Sequence, residues 1–255
     1  MSGRVRRRIR ERRFADVMEC AHWGLPVCPA AYPMARRCSC QRLSCSAPAA
    51  HPTSSEWRRE ASTDPGRITS WLNRDERFNF ASPTGRVHDA LDVSARVGML
   101  ALRRLEDSGA PVGPVAASGD GRYQFLTASR GLPVDENEWW PCDLDCRQPG
   151  GAEPSARPGS ARYGLDDHSH EEYSPDEYGP VGPGSLRWHS RGSYVLVPPS
   201  VRACGQRVRW VRSPDRPLPD PLRVLDVLVD AQETISGQEE PPRRGPSWSV
   251  TVRLF

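Results

Sequence analysis

The chain has 255 residues and a formal net charge of +3, with 37% hydrophobic and 26% charged residues, enough for one core but not for one running its whole length. Its 21 glycines and 26 prolines assign a sizeable share to loops. The richest apolar stretch, residues 222–229, is short and broken by Arg223 and Asp226, which excludes a bilayer-spanning helix there and any membrane partner.

Residues 1–13 carry seven arginines against Glu11, a net of +6, and read as a disordered basic arm able to neutralise phosphates. All 35 basic residues are arginine, however, as a GC-rich coding sequence would produce, so arginine abundance alone is no nucleic-acid signal. Arg12-Arg13-Phe14 has the look of an export signal, but Asp16, Glu19 and His22 interrupt the apolar stretch that should follow. A cytoplasmic location is expected. In that compartment the eight cysteines suit metal binding better than disulfides.

Phe14, Val17, Met18 and Ala21 fall at helical spacing, with Gly24 at the capping position. Residues 25–29 read as a short strand, and residues 30–62 as an Ala/Pro/Ser-rich stretch holding a cysteine cluster. Asp64-Pro65 starts a helix with Ile68, Trp71 and Leu72 on its buried face. Residues 78–82 and 90–93 read as strands about a Thr84-Gly85 turn. Residues 95–107 form a helix with Met99, Leu102 and Leu105 on its apolar stripe, and residues 112–117 and 122–127 a hairpin about Gly119-Asp120-Gly121.

Residues 135–178 carry twelve carboxylates against three arginines, and residues 135–183 are expected to be an acidic, disordered insertion splitting the domain into 14–134 and 184–231. Residues 186–189 and 194–197 read as a second hairpin, 208–211 as a strand, and Asp220-Pro221 as a helix start followed by Leu222, Leu225 and Leu228. The tail, 232–255, alternates at Trp248, Val250, Val252 and Leu254 like an added strand. Helices and strands mix without strict alternation, so the fold class is α+β.

The sharpest local signal is Cys38-x-Cys40-x4-Cys45-x5-His51. Three thiolates and an imidazole suit a closed tetrahedral zinc site, which folds a loop and leaves no position for reacting water. Cys142, Cys146, His168 and His170 read instead as incidental ligands in a polar loop. No nucleophile elbow or P-loop is present, and Gly119-Asp120-Gly121 alone is no phosphate cradle. Asp89 and Asp92 sit at odd spacing, which sends them to opposite faces of a strand.

The succession Gly24-Leu25-Pro26-Val27, the cysteine loop with His51-Pro52, Trp57, Thr63-Asp64-Pro65, Asn79, Thr84-Gly85, Leu91-Asp92-Val93 and the run from Gly192 to Pro198-Pro199-Ser200 resembles the N-terminal domain of bifunctional DNA primase/polymerases. These form a branch of the archaeo-eukaryotic primase superfamily, and the likeness is to a divergent form from GC-rich bacteria. The resemblance implies a catalytic core related to the RNA-recognition fold, with acidic residues holding Mg²⁺ or Mn²⁺ for nucleotidyl transfer.

On that mapping the Asp-x-Asp pair falls on Asp92 and Ser94, the nucleotide-binding histidine on Tyr123 after Arg122, and the third acid on Arg187. One carboxylate, a serine and a cation cannot hold two metals. A degenerate polymerase is therefore expected, with Asp92 the remnant of its acidic pair. It would still bind DNA or nucleotide through Arg122, Tyr123, Arg187, His189 and Arg191. Its alternatives are an active enzyme with substitute metal ligands and a zinc-stabilised interaction protein.

Overall fold

A computed structural model describes residues 3–35, 37–130 and 186–239. The expected insertion, residues 135–183 with Cys142, Cys146, His168 and His170, and residues 240–255 of the tail lie outside the described residues.

The first helix, α1 (Gly3–His22), starts well before the apolar spacing does. Residues 3–13 are its first turns and not a separate disordered arm. The sequence hides this because their attachment is polar and long-range: Arg13 donates to the carbonyls of Glu76, Arg77, Phe78 and Pro199. Gly24, at φ +81°, ends the helix as Leu25 N–H bonds Cys20 O and Gly24 N–H bonds Ala21 O.

Next come β1 (Cys28–Ala30), β2 (Pro33–Met34), β3 (Arg37–Cys38), a single-turn α2 (Trp57–Glu60) and α3 (Pro65–Arg74). Asp64 caps α3 by accepting from Gly66 N and Arg67 N. Then follow β4 (Asn79–Pro83), β5 (His88–Ser94), α4 (Ala95–Asp107), β6 (Val115–Ala117) and β7 (Arg122–Ala128). After the insertion come β8 (Arg187–His189), β9 (Tyr194–Val197), β10 (Arg209–Arg212) and α5 (Pro221–Glu239). Residues 232–239, assigned to the tail, thus continue α5, whose buried Val224, Leu228 and Ala231 face α4 and the larger sheet.

The strands form a five-stranded antiparallel sheet, β10-β6-β7-β5-β8, and a three-stranded one, β1-β4-β9, beside a small β2-β3 ribbon. The mixed α+β class holds. One face of the larger sheet (Leu91, Val93, Val115, Phe125) packs under α4 and α5. Met99, expected in that core, is 53% exposed, and the helix buries Val97, Gly98, Ala101, Leu102 and Leu105 instead.

The expected 186–197 hairpin does not form. β8 pairs with β5 and β9 with β4, so both turns, 84–87 and 190–193, step from one sheet to the other. The turns lock together: Thr84 N–H bonds Ser193 O, and Thr84 Oγ1 donates to Ser190 O at 2.5 Å. A Cβ on Gly85 would lie 2.1 Å from Arg191 Cα, which makes glycine a requirement at that turn.

Candidate functional site

The β2-β3 ribbon delivers Cys38, and the following loop folds back to bring Cys40, Cys45 and His51 to it, their donor atoms all within 4.8 Å of one another. A tetrahedron with legs of about 2.3 Å has edges near 3.8 Å. Cys38 Sγ stands 3.4 Å from His51 Nε2. His51 Nδ1 lies 2.8 Å from Pro52 O, a contact that needs its proton on Nδ1 and leaves the Nε2 lone pair for the cluster. Burial first, then the neighbouring thiols, push the Cys45 thiol up to about 11. The Cys40 thiol falls below its ordinary value: burial opposes this, but hydrogen bonds from Arg42 N–H, Cys38 and Cys45 outweigh it. The thiols compete over charge that a cation would neutralise. Asn79, fully buried, fastens this loop to the core: its amide nitrogen reaches the carbonyls of Ala31, Ala49 and Val201, and its Oδ1 accepts from Val201 N–H.

The second constellation lies on the face of the five-stranded sheet turned away from α4 and α5. Strand register sets Asp92 between Gln124 of β7 and Arg187 of β8, with Ser94 opposite Arg122. Asp92 is 3% exposed. Its Oδ1 accepts from Arg122 Nε, its backbone carbonyl accepts from Arg122 Nη2 at 3.0 Å, and Gln124 Nε2 reaches its Oδ2 at 3.4 Å. His189 Nε2 stands 3.7 Å away, at ion-pair but not hydrogen-bond range, while its Nδ1 meets Ser193 Oγ at 2.9 Å. Burial alone would raise the Asp92 carboxyl, but His189 and Arg122 hold it below the ordinary carboxylate value. Ser94 uses its hydroxyl to cap α4 at Val97 N–H.

Asp92, Arg122, His189 and Arg187 therefore converge, and Tyr123 does not. It pairs with Val93 on the helix-covered face, where a Cβ on Gly98 would sit 2.6 Å from Tyr123 Cβ. Gln124, the next residue along β7, is the one opposite Asp92. The period-two alternation was readable in the sequence, but the register that fixes its phase was not. Arg191 is exposed in the turn against Gly85. Asp89 points the other way, accepting from Trp188 Nε1 at 3.1 Å, and burial raises its carboxyl.

A cleft of about 1100 Å³ opens beside this face. Arg122 lines it, together with the Gly119–Gly121 turn, Tyr123, Trp210, Arg207, Arg209 and, from α1, Arg12. Asp120 is neutralised within the wall by Arg202, 2.6 Å away.

The family described as bifunctional DNA primase/polymerase, N-terminal (Prim-Pol), matches residues 17–222, most of the chain. The chain belongs to this family. No curated protein matches it. The Prim-Pol match spans both sheets, the cysteine loop, the Asp92 face and the insertion, and leaves residues 3–16 of α1 outside it. Among the described residues no helix is long and apolar enough to cross a membrane.

Proposed function

We propose that this Prim-Pol protein has a degenerate nucleotidyl-transfer centre and retains nucleic-acid or nucleotide binding. One observation carries the reading: the single carboxylate among the mapped metal positions, Asp92, is buried against the Arg122 guanidinium, with Arg187 opposite it in register. Two-metal phosphoryl transfer needs several anionic ligands to bridge the ions and offset phosphate repulsion. A cation already fills that role at Asp92, and Ser94 is committed to capping α4. Asp89 offers no substitute, because it faces Trp188 across the sheet.

In this reading the core is a relative of the RNA-recognition fold working in the cytoplasm. Cys38, Cys40, Cys45 and His51 hold a structural zinc that fixes the loop and does no chemistry. Purified protein given labelled dNTP or NTP, a single-stranded template and Mg²⁺ or Mn²⁺ is expected to incorporate nothing while retaining template at low salt. Template-dependent extension abolished by Asp92→Ala would overturn the reading.

A further inference from the structure

The cysteine loop holds a shape that its own residues disfavour. Ala35, Gln41 and Ala49, at φ +49°, +59° and +58°, are the non-glycine residues with positive φ among the described residues, and all lie in this loop or beside it. In that region a Cβ crowds the backbone carbonyl, so each position needs a constraint from outside. Apolar burial supplies little of it, since Leu43 near the loop's tip is fully exposed. The constraint is the cluster itself, with Ala49 N–H on Cys38 Sγ at 3.3 Å and Asn79 Nδ2 on Ala49 O at 2.9 Å. Asn79 also holds Val201, through Nδ2 to its carbonyl and Oδ1 to its N–H, and Val201 bridges Arg207 across the 201–207 turn. The three thiols differ in access. Cys38 is buried, whereas Cys40 and Cys45 are half-buried, with their sulfurs within 4.8 Å of each other. A small closure of the loop brings that pair to the roughly 2 Å of a disulfide. Of the described cysteines elsewhere, Cys20 and Cys28 are buried and Cys204 is exposed.

We propose that this loop is a peroxide-sensitive zinc switch: hydrogen peroxide joins Cys40 to Cys45, the site loses its zinc, and Asn79 passes the opening of the loop to the 201–207 turn, which carries Arg207 into the cleft. One thiolate of the pair attacks a peroxide oxygen, the O–O bond breaks, and hydroxide leaves and takes a proton to become water. The other thiolate then attacks the sulfenic acid sulfur, the S–S bond forms, and the remaining oxygen departs as a second water with another proton. Two thiolates lose two electrons and the peroxide gains them. Cys38 and His51 remain, two ligands where zinc takes four. The proposal rests on the structural-zinc reading above and gives that site a regulatory role.

The test is a hydrogen peroxide titration of the reduced, zinc-loaded full chain carrying Cys204→Ser, which removes the exposed thiol outside the loop. Zinc released to a colorimetric chelator should match the disulfide formed, mole for mole, and dithiothreitol with added zinc should restore the starting state. Peptide mass spectrometry should place the bond between Cys40 and Cys45, with Cys20, Cys28 and Cys38 still reduced. Oxidation should speed hydrogen exchange at the Ala49 and Val201 amides about tenfold or more. If the chain as purified holds no zinc, the zinc reading itself fails. If it holds zinc that peroxide does not release, or releases it through a bond to Cys38 or through sulfinic acids that dithiothreitol cannot reverse, the switch is refuted and the zinc reading stands. Unchanged exchange at Val201 in the oxidised chain would refute the transmission through Asn79.

Discussion

Replacing Arg122 with leucine should expose what the buried Asp92 carboxylate costs the fold. Arg122 and Asp92 side chains are 11% and 5% exposed, so water screens neither. Removing one partner of a buried pair costs about 3–5 kcal/mol, because the other charge stays desolvated. Gln124 and His189 remain near Asp92, which sets the expectation at the lower end, about 3 kcal/mol at pH 7. The pH dependence gives the sharper test. In the native chain the Asp92 carboxyl sits below its unfolded value, so its contribution is present above the ordinary carboxylate range and is lost as pH falls through the depressed folded value. Without Arg122 only His189 is left to oppose burial, so the folded value rises from its depressed native position. The variant's deficit should then shrink on acidification, as its folded carboxyl takes up a proton before the native one does. Asp92→Asn added to Arg122→Leu should recover about 1–2 kcal/mol, since the neutral amide needs no counter-charge. Urea unfolding followed by tryptophan fluorescence reads all four corners of the cycle. An Arg122→Leu cost under about 1 kcal/mol, with no pH dependence and no recovery in the double variant, would refute the idea that a guanidinium stands in for metal at this carboxylate.

Two further outcomes are expected. Metal analysis of protein purified without chelator should give one zinc per chain; Cys45→Ser should abolish it and lower Tm by several degrees, whereas full zinc content in Cys45→Ser would reject the four-ligand cluster. His88 is fully buried, and burial pushes its imidazole down to about 4. Its unfolded value is near 6.5, so its contribution is complete above that and is lost as pH falls toward 4, by up to about 3 kcal/mol. His88→Gln should flatten the unfolding free energy across that window, and an unchanged pH profile would exclude His88 as its source.

What the sequence disclosed depended on how far apart the decisive partners lie. The cap of α3, the Schellman end of α1 and the cysteine cluster are set by partners a few residues away, or thirteen at most between Cys38 and His51. Local spacing therefore predicted them. The first turns of α1 carry no apolar stripe, and they are held by Arg13 on carbonyls 63 to 186 residues distant, so nothing local distinguished them from a free arm. The expected hairpin at 186–197 failed for the same reason. Its turn was legible, but the partners of its strands, β4 and β5, lie more than ninety residues earlier.

The Asp92 face shows why this matters for function. Alternation along β5 correctly separated Asp89 from Asp92 and put Ser94 with Asp92. Which β7 side chain shares the Asp92 face depends on the strand register, which sets Gln124 opposite Asp92 and Tyr123 opposite Val93. That placement decides the chemistry beside the carboxylate. A tyrosine beside Asp92 would present a stacking ring to an incoming base, whereas Gln124 presents an amide that hydrogen-bonds the carboxylate itself. The remaining ring, Tyr123, is left packed on Gly98 with access to the cleft. The polar face is thus closed in on its own ion pair, while the neighbouring cleft keeps the cations and aromatic rings. In the reading proposed above, loss of catalysis and retention of binding would fall to different sets of side chains, which meet among the described residues at Arg122.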